Sequence, residues 1–168
     1  MSYKTYKLGT RKSLLAMAQS QWVAHQIQKA NPSVQIELVG IETQGDKIVD
    51  IPLREAEGKD FFVTELDQAL KSQKVDLCVH SYKDLSLTRP SEIQLAATPK
   101  REDPRDVIVF TPNIIKKIEQ GHSIKIGTSS PRRLENIPTF LEQALPRFSK
   151  KPVFEFIEIR GNVNTRLS

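Results

Sequence analysis

Residues 4–41 decide the fold class, and they read KTYKLGTRKSLLAMAQSQWVAHQIQKANPSVQIELVGI. The first five of these residues predict a strand. Within residues 13–29, apolar side chains recur every three or four positions, which predicts a helix that ends at Asn31 and Pro32. Residues 34–41 alternate apolar and polar side chains, as a half-buried strand does. A strand, a helix and a strand in succession predict two parallel strands joined by a helical crossover.

The same alternation of short strands and helices continues along the chain. Further strands are predicted at residues 75–80, 93–97, 106–110, 124–126 and 153–159, and further helices at residues 61–71, 114–120 and 131–145. Pro138 is predicted to kink or break the last of these helices. The pattern indicates an α/β fold with mixed, mainly parallel sheets and helices on both faces.

The segment 99–105 differs from its surroundings because it carries two prolines among charged residues. It is predicted to be a hinge between a first α/β lobe of residues 1–98 and a second α/β lobe of residues 106–168.

Composition excludes several classes of protein. The chain has 168 residues, of which 38% are hydrophobic and 27% are charged, as is typical of globular domains. Its one cysteine, Cys78, excludes a disulfide framework and a cysteine-based zinc site, and the three histidines lack metal-ligand spacing. No metal is therefore expected. The absence of a long apolar run or a signal-peptide pattern predicts a cytoplasmic protein without a membrane partner.

The net charge of +5 arises entirely from residues 99–168. Such a basic region indicates an anionic partner, either nucleic acid or a small polycarboxylate. No interleaving of aromatic and basic residues supports nucleic acid, so a small-molecule partner is expected.

Two clusters of polar residues follow strands predicted in the first lobe, where α/β folds place ligands. In residues 9–13, Arg11 can bind a carboxylate and Ser13 can cap the next helix, although an ordinary capped loop has the same pattern. In residues 80–84, Asp84 can hold or donate a proton if its surroundings tune it. The alternative there is a solvated loop with a surface pair between Lys83 and Asp84.

Two similar clusters lie in the second lobe. In residues 127–133, Ser130 and Pro131 fit the start of a helix whose free N–H groups, with Arg132 and Arg133, would bind an anion. A well-capped surface helix is the alternative. Residues 160–166 follow an apolar strand and add two arginines, although a basic chain end would look the same.

One cysteine and several aromatic residues are predicted to pack in the core rather than to bind a ligand. Cys78 is predicted to be a buried structural thiol. Trp22, Phe61 and Phe62 have the spacing of core residues, and Phe62, close to Lys59, would alternatively form the wall of a ligand cleft.

Seven ordered motifs resemble the porphobilinogen deaminase family, also called hydroxymethylbilane synthases. They are GTRKSLLAMAQ (9–19), TQGD (43–46), GKDFFVTEL (58–66), VHSYKD (79–84), REDPRD (101–106), GTSSPRR (127–133) and RGNVNTRL (160–167). Together they span almost the whole chain.

The resemblance implies a two-lobed fold like that of periplasmic binding proteins, with a cleft between the lobes. It implies a cytoplasmic, monomeric transferase of tetrapyrrole, porphyrin and haem biosynthesis. Such an enzyme joins four porphobilinogen units head to tail with release of ammonia, on a covalently held dipyrromethane cofactor. The motif match gives Asp84 the catalytic role and places Lys59 and Phe62 in the cleft wall. It assigns the carboxylates of substrate and cofactor to Arg11, Ser13, Ser81, Lys83, Thr128, Ser129, Arg132, Arg133, Arg160 and Arg166.

The family holds its cofactor on a cysteine in a third domain, whereas this sequence ends at Ser168, directly after the last motif. Cys78 lies in a predicted strand and does not match the attachment cysteine. We therefore expect an incomplete, inactive fragment with an unfinished second lobe and a tendency to self-associate. The alternative is a non-catalytic binding module for a small polycarboxylate or a tetrapyrrole precursor.

Overall fold

The computed structural model describes residues 3–47, 62–149, 151–159 and 161–167. The chain divides into two compact units, Met1–Lys100 and Arg101–Ser168. Their boundary lies inside the predicted hinge segment, although the hinge itself stays a prediction.

The first unit is built on a parallel sheet of three strands in the order β2-β1-β3. Strand β1 (Lys4–Arg11) pairs along its whole length with β2 (Val34–Ile41), and its end pairs with the short β3 (Leu77–Cys78). The predicted strand–helix–strand unit with parallel strands is therefore confirmed.

Two helices cover opposite faces of this sheet. The Thr10 side chain points to α1 (Leu14–Ala30), where its hydroxyl donates to Ala16 O at 3.2 Å. Cys78, which is paired in register with Gly9 on the other face, donates through Sγ to Leu66 O in α3 (Thr64–Lys71). Because successive residues of a strand point to opposite faces, α1 and α3 lie on opposite sides of the sheet. A four-residue helix, α2 (Gln44–Lys47), follows β2.

The core of the first unit lies around the centre of the sheet. Leu8, Val63 and Leu66 are fully buried, and Ala24, Ala69 and Val75 complete the apolar cluster. Trp22 is 41% exposed, so its predicted core position is wrong. The face of α1 that packs inward presents Ser20 and Ala24, and Trp22, two positions from each, lies on the opposite face of the helix.

The second unit has a smaller, two-stranded parallel sheet of β4 (Ile124–Gly127) and β5 (Phe154–Ile157). Its helices are α4 (Ile114–Glu119), α5 (Pro131–Ala144) and α6 (Val163–Leu167). The buried apolar side chains are Ile118, Ile124 and Leu141. The strands β4 and β5 and the helices α4 and α5 occur near their predicted positions, and α6 was not predicted.

Some predicted elements are wrong. Residues 93–97 and 106–110 contain no strand, and Val107 and Val109 are largely exposed. Their apolar residues suit a strand, but no described strand pairs with them, so the backbone ladder that defines a strand does not form. Pro138 does not break α5, because the turns on both sides stay helical and Leu141 is anchored in the core.

Candidate active site

The loop after β1 is fixed by buried hydroxyl groups. Thr10 is fully buried and accepts a hydrogen bond from the Ser20 hydroxyl at 2.7 Å. Ser13 is the N-cap of α1, and its Oγ accepts the N–H of Ala16 at 3.3 Å. These contacts hold the end of β1 against α1 and set the starting point of the Arg11 side chain.

Arg11 lies among three side chains from separate parts of the first unit. Its Nε and Nη2 donate to the two carboxylate oxygens of Asp46 at 3.2 and 2.5 Å. The guanidinium carbon stands 4.1 Å from the centre of the Phe62 ring. Its Nη1 is 4.0 Å from Oδ2 of Asp84. One guanidinium therefore combines a bidentate ion pair, a cation–π contact and a second, longer approach to a carboxylate.

Asp46 is itself held by Thr43, which is fully buried and donates its hydroxyl to Asp46 Oδ2 at 2.8 Å. Burial favours a raised pKa for Asp46, but hydrogen bonds from Arg11 and Thr43 and the charge of Arg11 outweigh it. The pKa of Asp46 is therefore lowered from its ordinary value. Asp46 stays a carboxylate, and Arg11 keeps its ionic partner, at neutral pH.

Asp84 ends a single 3₁₀ turn, Tyr82–Asp84, that follows β3. The backbone N–H of Asp84 donates to Ser81 O at 2.9 Å, and the Ser81 hydroxyl lies 3.3 Å from Gln19 Oε1 of α1. The Asp84 side chain is 25% exposed, whereas Lys83 is exposed to solvent. The turn therefore places the partly shielded carboxylate of Asp84 near the guanidinium of Arg11.

A second ion pair involves the segment that follows this turn in the chain. Arg89 donates to the nearly buried Asp67 of α3 at 2.6 Å, which ties the segment after the turn to the helix. Burial is the main cause of a lowered pKa for His80, with the charge of Asp67 acting in the opposite direction. His80 is therefore the neutral imidazole at neutral pH.

Cys78 has the surroundings of a structural thiol. Its Sγ contacts Leu66 O at 3.7 Å, and burial, with the charge of Asp67, raises its pKa to about 12. Such a thiol is almost entirely protonated at neutral pH and is a poor nucleophile. The prediction of a structural thiol agrees with this geometry, although the residue is half-buried rather than fully buried.

In the second unit, the hydroxyl groups after β4 bind the backbone. Thr128 is nearly buried, and its Oγ1 accepts the N–H of Ser130 at 3.2 Å. The Ser129 hydroxyl donates to Ile159 O in the chain after β5. Ser130 is the N-cap residue of α5 without a side-chain cap bond, and Pro131 takes the first helical position as predicted.

Arg132 and Arg133 share one carboxylate. Their Nη2 atoms lie 2.9 and 2.8 Å from the two oxygens of Asp106. The side chains of the two arginines are 66% and 41% exposed. Hydrogen bonds from Arg133 are the main cause of a lowered pKa for Asp106, and Arg132 adds to it.

The fourth predicted cluster is only partly described. Arg166 folds back on its own loop and donates to Gly161 O at 2.7 Å. Arg160, Lys59 and Phe61 lie outside the described residues. Within the part of the chain that the structure describes, no group of three His, Cys, Asp or Glu side chains is arranged to hold a metal ion. None of the described helices is long and apolar enough to cross a membrane.

The structure brings Arg11, Phe62 and Asp84 together in the first unit, and Arg132 and Arg133 together in the second. Ser13 and Ser129 instead use their hydroxyls on the backbone. Sequence reasoning missed the partner carboxylates, Asp46 and Asp106. The available signal was that each is the last residue of one of the quoted motifs, 43–46 and 101–106.

Comparisons with known proteins agree with these motifs. The family model for porphobilinogen deaminase, dipyromethane cofactor binding domain, matches residues 6–168. The porphobilinogen deaminase of Trichlorobacter lovleyi is 38% identical over 167 residues, which cover 99% of this chain and 50% of that protein. That of Bacillus subtilis is 38% identical over 164 residues, covering 98% of this chain and 49% of that protein.

A chloroplastic porphobilinogen deaminase of Euglena gracilis is 40% identical over 167 residues, which cover 98% of this chain and 33% of that protein. The chain thus spans about half the length of the Trichlorobacter lovleyi and Bacillus subtilis proteins and a third of that of the Euglena gracilis protein. With a family model matched over nearly its whole length, the chain belongs to the porphobilinogen deaminase family.

Proposed function

We propose that this chain carries the substrate-binding and catalytic carboxylate part of a porphobilinogen deaminase, or hydroxymethylbilane synthase, a cytoplasmic transferase of tetrapyrrole biosynthesis. The observation that carries the proposal is the partly shielded Asp84 carboxylate, 4.0 Å from the Arg11 guanidinium at the end of a central strand. The two compact units are taken as the two lobes of a periplasmic-binding-protein-like fold, with the segment 99–105 as their hinge.

The proposed chemistry begins when the C–N bond of the protonated aminomethyl group of porphobilinogen breaks and neutral ammonia leaves. The pyrrole unit that remains is a cation, and a carbon of the next pyrrole attacks it and then loses a proton. Asp84 stabilises the cation, binds pyrrole N–H groups and accepts that proton. A carboxylate at a partly shielded site is suited to both tasks, because its charge is present before the cation forms.

The acetate and propionate of each pyrrole require cationic partners. Arg132 and Arg133 are suited to this because both guanidinia are exposed and already bind a carboxylate, that of Asp106. The remaining residues that the motif match assigns to carboxylates are part of the proposal, namely Arg11, Ser13, Ser81, Lys83, Thr128, Ser129, Arg160 and Arg166. Lys59 and Phe62 are proposed as wall residues, and Phe62 has a second role as the ring beneath Arg11.

The dipyrromethane cofactor named by the family model fits this chain only in part. Its carboxylates are suited to the exposed arginines. Its covalent attachment is not suited to Cys78, the only cysteine, because that thiol is half-buried, bonded to Leu66 O and has a pKa of about 12. Because a tethered cofactor is what the growing pyrrole chain is built on, steady turnover by this chain is not expected.

The test is to titrate the purified chain with porphobilinogen by calorimetry and to follow ammonia release. We expect binding that weakens by about tenfold or more in Arg132→Gln/Arg133→Gln, because charge-assisted hydrogen bonds are lost. Asp84→Asn is expected to retain the fold and binding but to lower any ammonia release by at least about a hundredfold. Absence of porphobilinogen binding to the parent chain would contradict the proposal.

A second candidate function is a non-catalytic binding module for a small polycarboxylate or tetrapyrrole precursor. The exposed Arg132 and Arg133, which already bind a carboxylate without any catalytic group beside them among the contacts described above, favour it. Binding of porphobilinogen without any ammonia release, unaffected by Asp84→Asn, would support this module over the enzyme. Self-association is tested in the same samples by their sedimentation at increasing concentration.

A further inference from the structure

Four segments of the first unit meet at the Arg11 guanidinium. Arg11 ends β1, Asp46 lies in α2, Phe62 precedes α3, and Asp84 ends the 3₁₀ turn after β3. The side chains of Arg11 and Asp46 are each only 19% exposed. Such a convergence is more than a surface ion pair, because the pair is shielded from solvent and has further fixed neighbours.

The two carboxylates relate to Arg11 in different ways. Asp46 takes the bidentate edge of the guanidinium, formed by Nε and Nη2. Asp84 faces Nη1 at 4.0 Å, which is close enough for electrostatic attraction but too long for a hydrogen bond. An arginine released from Asp46 would gain a direct, bidentate pair by moving onto Asp84, since that geometry is the preferred one.

Two further contacts keep Arg11 on Asp46. The buried Thr43 hydroxyl fixes Asp46 Oδ2 at 2.8 Å. The Phe62 ring covers the guanidinium, and Gly45 makes room for that ring, because a Cβ at Gly45 would lie 2.1 Å from a Phe62 ring atom. Three residues of the motif 43–46 therefore help to position Arg11. Thr43 supplies a hydroxyl, Gly45 leaves space for the Phe62 ring, and Asp46 supplies the carboxylate.

We propose that Asp46 is a positioning residue that anchors Arg11, so that the guanidinium attracts the Asp84 carboxylate without capturing it. The role of Asp84 in catalysis rests on the function proposed above, whereas the anchoring of Arg11 does not. Asp84 keeps its oxygens available for a pyrrole N–H or a proton while a fixed positive charge stands beside it. Asp46 acts only through Arg11 and need not touch substrate.

The first measurement is independent of activity. In the chain labelled with ¹³C at aspartate carboxyls and ¹⁵N at arginine, Asp46→Asn is expected to accelerate exchange of the Arg11 Nε proton about tenfold, because its ionic acceptor is lost. The same change is expected to shift the Asp84 ¹³Cγ signal as Arg11 moves onto it. Adding Arg11→Lys should reverse that shift, because lysine cannot form the bidentate pair.

Matched variants distinguish anchoring from general damage. Asp76→Asn removes a carboxylate that accepts the Lys7 N–H in the same sheet, and it should leave the Asp84 signal unchanged. Asp46→Glu keeps the charge and should restore much of the parent spectrum. If Asp46→Asn does not fold, Thr43→Val weakens the same anchor while keeping the charge and should give a smaller shift in the same direction. An unchanged Asp84 signal in a folded Asp46→Asn or Thr43→Val variant overturns the proposal.

The second measurement is ammonia release from porphobilinogen. Asp46→Asn is expected to lower the rate of a single round of ammonia release by about tenfold to a hundredfold, with a smaller change in the affinity for porphobilinogen, because misplacing a catalytic group affects the chemical step most. A change in affinity alone would instead place Asp46 in substrate binding and overturn the positioning role. If the parent chain neither binds nor deaminates porphobilinogen, the proposed function fails, while the spectra still decide whether Asp46 anchors Arg11.

Discussion

The two units contain the same Gly-Thr pair at the end of a parallel strand, but they use the following residues differently. Gly9 and Thr10 precede Arg11, the last residue of β1, in the first unit, and in the second unit Gly127 ends β4 and Thr128 follows it. Both threonines are buried, and both loops lead into a helix behind a serine N-cap. The local sequence therefore gives two similar strand–loop–helix connections.

The difference lies in where the arginines come. Arg11 follows Thr10 directly, so its side chain starts at the buried strand end and is enclosed by Asp46 and Phe62. Arg132 and Arg133 come four and five residues after Thr128, in the first turn of α5, where they stay exposed and share Asp106. A shielded arginine can orient a neighbouring group, whereas an exposed pair on one carboxylate can exchange that carboxylate for another.

The largest expected difference concerns the reactivity of a thiol placed in either unit. Burial raises the pKa of Cys78 to about 12 from an ordinary value of 9.0. Its thiolate fraction at neutral pH, and hence its rate of alkylation, should be about a thousandfold lower than for an ordinary thiol. Iodoacetamide labelling followed by mass spectrometry measures the rate. A Cys78→Ser/Ser149→Cys chain, with its thiol at an exposed position of the second unit, is the control. Equal alkylation rates would show that Cys78, in β3, is as accessible and as reactive as an exposed thiol.

The second prediction concerns the two glycines. A Cβ at Gly9 would lie 2.8 Å from Cys78 Sγ and 3.2 Å from both Ile41 and Val75, in a buried central strand. Gly9→Ala should therefore lower the free energy of unfolding of the first unit by about 1–3 kcal/mol through overpacking. Amide hydrogen exchange of β1 under native conditions gives this value.

Gly127→Ala is the matched change, and it should cost less than about 1 kcal/mol. A Cβ there would meet only the Ile159 side chain, at 2.7 Å from its terminal Cδ1, and Gly127 is exposed. A flexible side chain can turn away, whereas three groups around a central strand cannot all do so. A larger loss of unfolding free energy in Gly127→Ala than in Gly9→Ala would contradict this prediction.

The features that could be predicted from the sequence are those that depend on neighbouring residues. They include the Ser13 cap, the Pro131 helix start and the strand–loop–helix units. The anchoring carboxylates were not found, because Asp46 lies 35 residues from Arg11 and Asp106 lies 27 residues from Arg133. Residues 106–110 failed as a strand for a related reason. A strand requires a partner, and an apolar pattern does not say whether one is present.

The third prediction uses pH to probe the half-buried face of the first unit. Burial lowers the pKa of His80 below its ordinary value of 6.5. Below pH 6.5 the unfolded chain therefore binds a proton that the folded chain does not, so stability falls as pH decreases and is retained above 6.5. His80→Gln should flatten this part of the urea-midpoint profile. His122→Gln, a change at an exposed histidine of the second unit, is the control. An unaltered profile in His80→Gln would mean that protonation of His80 is not linked to folding.

The smallest expected effect is a gain in affinity for an anion at the exposed pair Arg132 and Arg133. Asp106 occupies both Arg132 and Arg133, so an incoming anion must compete with a carboxylate that is already bound. Surface pairs of this kind contribute about 0.2–1 kcal/mol, so Asp106→Asn should tighten binding of inorganic phosphate or citrate by about two- to fivefold. The gain should disappear at high salt, because exposed charges are screened.

Asp103→Asn is the control, because it removes the carboxylate of another exposed pair, with Arg105, and should leave affinity unchanged. Calorimetry at two salt concentrations measures both variants. Weaker binding in Asp106→Asn would mean that Asp106 holds the arginines in place for the anion, and the second unit would then use its carboxylate as the first unit uses Asp46.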